Sequence, residues 1–386
     1  MGQMTEEFWR ASWVCLGAHL STANERVLRS LTVALDSLYY LTDDGRFCTP
    51  TWARIEGVEH PGEEQEDGTL LTPYILPIIG GRRTGYASGS TTDTAYTIDT
   101  HATRPWISPA TEAMPGLKLE FMMNRRRGGL EINLRVGAHA RVEFTDASAG
   151  SAREMVQRLN PLLELMSLAT FDSSGVEWIK AHTIDGAEVS LLCHIKHPSM
   201  PDRSAESSGV VFTFKDVSLS HFLETWQKLT SGEQAQYAWN MAVGLIGHSP
   251  LMVEEHVSQV LGAAEGFHRW CLRGKKEESL KNRLVLLHDR LTDELKRQLN
   301  LDVGHWAVWA TWARNHVSHG GAEKHRDVGD FYQLKVIADS VRLVTYLNAL
   351  QEFGVSEDKL VEALRQHPRL CILVERCAEL AKLPTP

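Results

Sequence analysis

The chain of 386 residues lacks any apolar run approaching the roughly 18 residues that would cross a bilayer. It also lacks a leader-like start, because "MGQMTEEFWRASW" is acidic before it is apolar. No CxxC pair occurs. The six cysteines (Cys15, Cys48, Cys193, Cys271, Cys371 and Cys377) are scattered, which argues against a disulfide scaffold or a zinc ribbon and fits reduced thiols in the cytoplasm. There is no excess of positive charge either. The formal net charge of -9 excludes a protein that coats itself in nucleic acid through bulk electrostatics, though not one with a local basic cleft. Fixed-period repeats and low-complexity tracts are absent. What is present is an ordinary globular composition, 43% hydrophobic and 23% charged, at a length that points to two domains.

The two parts differ in pattern and in charge. Residues 231–386 hold 19 Lys+Arg against 20 Asp+Glu, which leaves 21 against 29 for residues 1–230, so nearly all the negative excess lies in the N-terminal part. Residues 1–230 read as an α+β domain. The runs 72–81, 117–124, 130–144, 189–197 and 209–217 are rich in Val, Ile, Phe and Leu and bounded by turn residues, as strands are. "RRRGG" at 125–129 reads as the hairpin turn between two of them. Helices are expected over 22–41 and 150–170, the latter opening on the capping box Ser151-Ala-Arg-Glu154. Residues 59–69 form an acidic loop, and 198–208 an excursion between strands. Beyond "LTSGEQAQ" (229–236), strand signals stop. Helical periodicity then runs through 233–247, 250–272, 276–299, 303–318, 327–352, 357–365 and 368–381, with Ser231 as the first cap. Residues 231–386 are therefore read as an all-α bundle.

One stretch of that bundle carries chemistry: "TWARNHVSHGG" at 311–321. On a helix over 303–319, Asn315 and His319 lie four apart and project together, whereas Arg314 sits about 140° around from His319. Gly320 and Gly321 then let the chain turn left-handed and free the last side chain to reorient. His319 at the helix C-terminus would feel the negative end of the dipole, which raises an imidazole pKa from about 6.5 and suits a group that takes and returns a proton. A guanidinium that neutralises phosphoryl charge, beside such an imidazole, is the equipment for RNA cleavage without a metal: the 2′-hydroxyl attacks its own phosphorus and leaves a 2′,3′-cyclic phosphate and a 5′-hydroxyl.

"RNHVSHG" resembles the Arg-Asn-x-x-x-His motif of the HEPN ribonuclease superfamily, whose members are helical bundles, often toxins or phage-defence effectors. "EEHVSQVLGAAEGFHRW" (254–270) is similar to the first long helix of such domains, with Glu265 where an acidic residue is common. The resemblance covers roughly 240–385. "LNPLLELMSLATFDSSGVEWIKAH" (159–182) and "FKDVSLSHFLETWQKL" (214–229) resemble, more loosely, the N-terminal domain of ApeA. The chain is thus similar to an ApeA-like anti-phage HEPN protein. The resemblance implies Arg314 as the phosphate-binding and transition-state residue, His319 as general acid/base and Asn315 as an orienting hydrogen-bonder. It implies an RNA substrate, plausibly tRNA, a homodimer through the HEPN domain that pairs two motifs at its interface, a phage-derived trigger sensed by the N-terminal domain, and no cofactor. Gly321 stands where the branch silenced by tyrosine nucleotidylation carries tyrosine, so that control is not expected. Residues 1–20 offer little of the family's opening strands, so an abridged N-terminal domain is expected.

Competing readings stand beside these. The alternative in a different class is a non-catalytic HEPN module that dimerises and binds RNA or protein; a weaker one is a toxin held by an antitoxin or nucleotide signal. A second Arg-x4-His, Arg283 to His288, has a wholly apolar spacer and reads as a buried stripe without function. Trp306, Trp309 and Trp312 recur every third residue and read as core or interface sooner than as base-stacking platforms. His316 reads as a neighbour that points away. His316, His319, His325, Asp327 and Asp330 have HxxH and HxD spacings, but with no strand or cysteine ligand no metal site is expected. Arg125, Arg126, Arg127 and the group Lys275, Lys276, Lys281 and Arg283 read as solvated charges sooner than as RNA grips.

Overall fold

The computed structural model describes residues 14–15, 27–35, 41, 53–56, 83–87, 95–98, 114, 116–128, 132–144, 150–172, 176–184, 186, 188–192, 210–246, 252–318 and 330–380. The chain divides into two compact units: Met1–Asn160 with Ser174–Ala205, and Pro161–Ser173 with Glu206–Pro386.

The described part of the first unit is mainly sheet. Its strands are β1 (Val14–Cys15), β2 (Val27–Leu35), β3 (Ala53–Glu56), β4 (Arg83–Ala87), β5 (Ala95–Ile98), β6 (Leu117–Gly128), β7 (Ile132–Phe144), β8 (Gly150–Ser151), β9 (Val176–Thr183) and β10 (Glu188–Leu192). The main sheet runs β1-β10-β9-β2-β7-β4, with β6 also pairing β7 and β8 pairing β2; β3 and β5 form a separate pair. A short helix α1 (Ala152–Gln157) follows β8.

Three expectations fail here. The helix expected over 22–41 is strand β2 across Val27–Leu35, antiparallel to β7 on one edge and β9 on the other. Consecutive apolar residues do not distinguish a buried strand from a buried helix, and the pairing partners lie more than 100 residues away in sequence, where no local signal reaches. Arg125–Arg127 are not the hairpin tip. They are rungs of the β6–β7 ladder, paired with Val136, Arg135 and Leu134. The run 209–217 is no strand but a turn: the Asp216 carboxylate accepts from the Thr213 backbone N–H (2.8 Å) and hydroxyl (3.1 Å), while Val211 N–H donates to the Ala169 carbonyl (2.7 Å). Its apolar residues Val211, Phe212 and Val217 are buried as strand residues would be, which is why the pattern misleads. The expected strand over 72–81, most of 189–197 and the two loops at 59–69 and 198–208 fall mainly outside the described residues.

The second unit is helical, in agreement with the all-α expectation for the C-terminal part. Its helices are α2 (Asn160–Thr170), α3 (Leu219–Leu229), α4 (Glu233–Gly244), α5 (Val253–Gly266), α6 (Leu280–Asp289), α7 (Asp293–Leu299), α8 (Val303–Ser318), α9 (Phe331–Glu352), α10 (Glu357–Gln366) and α11 (Pro368–Glu379). The expected helix at 150–170 is two, because Asn160-Pro161 starts a new one; proline suits a first turn and breaks an interior. The stretch 276–299 also splits, with Thr292 capping α7. Ser231 does not cap α4; Gly232 occupies that position, at φ +99.

Helices α5, α6, α8 and α9 contact one another in every pairing and form the bundle core. Helix α9 is buried almost all round, as a central helix must be. Two of its buried polar residues reach across the bundle or along the helix: Ser340 accepts from the Trp306 indole (2.8 Å), and Asn348 donates to the Leu287 and Val344 carbonyls (2.8 and 2.9 Å). Asp339 meets His256 of α5 (3.3 Å), Arg342 (3.1 Å) and Arg376 of α11. Burial pushes its carboxyl up, but the His256 bond and the two guanidiniums outweigh that and hold it below its ordinary value. Trp306 and Trp309 are core, as the stripe reading expects.

Candidate active site

The stripe Trp306, Ala307, Trp309, Ala310 and Ala313 keeps one face of α8 in the core. Arg314 and Asn315, one and two residues past Ala313, are thereby turned outward and exposed. Asp302 caps the start of the helix, its carboxylate accepting from His305 N–H at 3.1 Å. Helix α8 ends at Ser318, and residues 319–329 lie outside the described residues, so His319, Gly320, Gly321, His325 and Asp327 are not placed. His316 turns partly inward, with Nδ1 buried and without a hydrogen-bond partner among the described residues.

Arg314 finds its partner on α5. Its Nη2 lies 3.6 Å from Oε2 of Glu265, and the pair is about half exposed on the Arg314 side. Such a pair contributes at most about 1 kcal/mol of stability; its consequence is orientation. The other oxygen of Glu265 lies 3.9 Å from Nε of Arg283, the arginine of the second Arg-x4-His. One carboxylate thus stands between two guanidiniums, one open to solvent and one only 1% exposed.

Arg283 is locked in place. Its Nε donates to the Glu278 carbonyl (3.1 Å), Nη2 to the Lys275 and Lys276 carbonyls (2.9 and 3.0 Å), and Nη1 to Nδ1 of His268 (3.2 Å). A guanidinium can only donate, so His268 presents a bare Nδ1 and carries its proton on Nε2. Burial lowers the His268 pKa; Glu278, 3.6 Å away, pulls it up, and Arg283 pushes it down again, with a net lowering. The reading of Arg283 and His288 as a buried stripe agrees with their burial. What the sequence did not disclose is that Arg283 fastens the loop 272–279 from beneath. Gly274 in that loop has no room for a side chain: an added Cβ would come within 2.2 Å of His268 Cε1.

α5 does not end in a regular turn. Phe267–Cys271 form a π-helical turn closed by Leu272 N–H to the Phe267 carbonyl (3.0 Å), a feature frequent at functional sites. Among the described residues no group of three or more His, Cys, Asp or Glu could hold a metal, and no helix is long and apolar enough to cross a membrane.

The family model described as Apea-like HEPN matches residues 217–359. The chain carries an Apea-like HEPN domain. The HEPN segment begins at the residue before the α3 cap, so α3 belongs to it, although residues 214–229 read in sequence as part of the N-terminal domain. It contains Glu265, Arg283, Arg314 and the whole 314–319 motif. A HEPN domain suggests a nuclease or RNA-binding role. Comparisons with curated proteins and with solved structures find no match. The likeness of residues 159–182 to an ApeA-type N-terminal domain rests on the sequence pattern alone.

Proposed function

We propose that the protein is a metal-independent endoribonuclease. Arg314 binds the scissile phosphate and neutralises charge in the transition state, Asn315 orients it, and His319 moves the proton. The observation that carries the reading is the Arg314–Glu265 pair: within an Apea-like HEPN domain, the motif arginine is outside the core and aimed by a carboxylate from another helix. An arginine needed only for packing would be enclosed as Arg283 is. A half-exposed guanidinium with one weak partner among the described residues can exchange it for a phosphate, which accepts a bidentate bond. Two copies facing each other would bring two imidazoles and two guanidiniums to one site. A structured RNA such as tRNA as substrate, and a role in anti-phage defence with a trigger sensed by the N-terminal unit, belong to the same proposal.

The test is incubation of the purified full chain with total RNA in EDTA, followed by end mapping. Cleavage that survives EDTA, leaves cyclic phosphates and disappears in both Arg314→Ala and His319→Ala supports the enzyme. Variants that cut like the wild type sink it, and RNA binding without any cleavage would favour the non-catalytic binding module.

A further inference from the structure

We propose that Trp270 and the basic loop after it form a binding subsite for single-stranded RNA beside Arg314, with the indole stacking a base and Lys275 and Lys276 holding the backbone. The inference rests on the ribonuclease reading for its purpose.

Arg269 and Trp270 lie four and five residues beyond Glu265. They sit in the π-helical turn that ends α5, one turn along the chain from the carboxylate that meets Arg314. Trp270 is 41% exposed, the one tryptophan among the exposed large apolar side chains of the described residues. The Arg269 guanidinium sits 4.5 Å from its ring centroid. The guanidinium lies over the ring and covers one of its faces, which leaves the opposite face for an unpaired base, with the cation stacked behind it.

From Arg269 to Lys276 the chain carries Arg269, Arg273, Lys275 and Lys276 with no acidic residue among them, and Glu277 and Glu278 follow at the end of the loop. Arg273, Lys275 and Lys276 are exposed. An isolated charged loop is ordinarily just solvated, but this one is held. Arg273 is kept at φ +57, a left-handed conformation unusual for a residue other than glycine. Gly274 N–H donates to the His268 carbonyl (2.9 Å), and Arg283 binds three carbonyls of the loop from below. The same Arg283 faces Glu265, and Glu265 faces Arg314. Loop, carboxylate and motif arginine are therefore linked by an unbroken series of polar contacts, so a strand that reaches Arg314 passes the loop within a few nucleotides. A fixed array of cations with a ring at its edge suits a polyanion of regularly spaced charges and planar bases better than an acidic protein, which has no use for the ring.

The test uses the full chain and a fluorescein-labelled single-stranded RNA of mixed sequence whose 2′-hydroxyls are methylated, so that it binds without a nucleophile to react. Fluorescence anisotropy is expected to show about tenfold weaker binding for Trp270→Ala, as for loss of one stacked base, and near-wild-type binding for Trp270→Phe. The double variant Lys275→Glu/Lys276→Glu is expected to bind weakly and to lower the slope of log Kd against log salt by about 1.4. Circular dichroism checks that these surface variants fold. Wild-type affinity in both Trp270→Ala and the double lysine variant, or no binding by the wild type, overturns the subsite. So does a Trp270→Ala variant that changes oligomeric state in light scattering but not RNA affinity, which would assign the surface to a protein contact. Trp270-dependent binding without cleavage of unmethylated RNA would keep the subsite and remove the ribonuclease; Trp270-independent binding with cleavage would do the reverse.

Discussion

Arg283 and Arg314 each precede a histidine in an Arg-x4-His spacing, and each touches Glu265, yet their environments are opposite. Replacing Arg283 by methionine leaves three loop carbonyls and His268 Nδ1 without their donor, inside the protein. The expected loss is about 3–5 kcal/mol in urea unfolding, and lysine should not restore it, because an ammonium cannot span the fork. Arg314→Ala should change stability by about 0.5 kcal/mol or less while removing the proposed cleavage. Equal losses of stability would mean that Arg314 is structural after all. Gly274→Ala makes a related prediction. Its Cβ would stand 2.2 Å from His268 Cε1 and 2.3 Å from Nδ1, so the ring must move and release Arg283. Destabilisation of about 1–3 kcal/mol is expected, read as a lower urea midpoint; a wild-type midpoint would show that the ring yields freely. At this scale much was legible. Four apolar spacer residues marked Arg283 as buried, and the polar spacer marked Arg314 as different. The role of Arg283 as a latch was not legible, since its acceptors are backbone carbonyls and leave no side-chain signature.

Among elements, α2 is held by unusual means. Glu164 accepts from the indoles of Trp226 on α3 (2.5 Å) and Trp239 on α4 (2.6 Å), both to the same carboxylate oxygen. Burial raises its pKa to about 7, the two indole bonds pulling the other way without overcoming it. The folded state thus holds a proton that the unfolded chain releases at its ordinary value of 4.5. The stabilising contribution is complete below about pH 4.5 and is lost as pH rises towards 7, on the order of 3 kcal/mol. Buried His268 and His288 act in the opposite sense: burial lowers both, so their contribution falls as pH drops below about 6.5. The pH profile of the urea midpoint should therefore carry a declining limb between about 4.5 and 7 that vanishes in Glu164→Gln, leaving the histidine limb alone. A Glu164→Gln profile identical to the wild type would refute the burial argument. Elements with strong local signals were legible, among them α8 and α9. β2 and the 210–217 turn were not, because their apolar patterns mimic other elements and long-range pairing or a single Asp216 decides between them.

At the scale of the molecule, the sequence placed the division near residue 230, where strand signals end, whereas the contacts assign Pro161–Ser173 and the stretch from Glu206 to the helical unit. Nothing local in α2 announces this; its partners lie far along the chain. Besides the Glu164 bonds, the Tyr346 hydroxyl donates to the Leu168 carbonyl (2.5 Å), His367 Nε2 lies 3.2 Å from the Thr170 carbonyl, and Arg369 pairs with Asp172 at 2.7 Å. Phe171, at φ +46, packs its ring against Tyr346 with centroids 4.7 Å apart. A fragment starting at residue 206 would contain the whole HEPN match and still lack this helix. It would expose the faces of Trp239 and Tyr346 and strand the Tyr346 hydroxyl, each unmet buried group costing about 1–3 kcal/mol. That fragment is expected to melt well below the same fragment with residues 160–173 joined by a flexible linker, measured by circular dichroism at 222 nm. Equal melting temperatures would show that α2 is dispensable to the bundle, and would return the division of the chain to the place where the strand pattern ends.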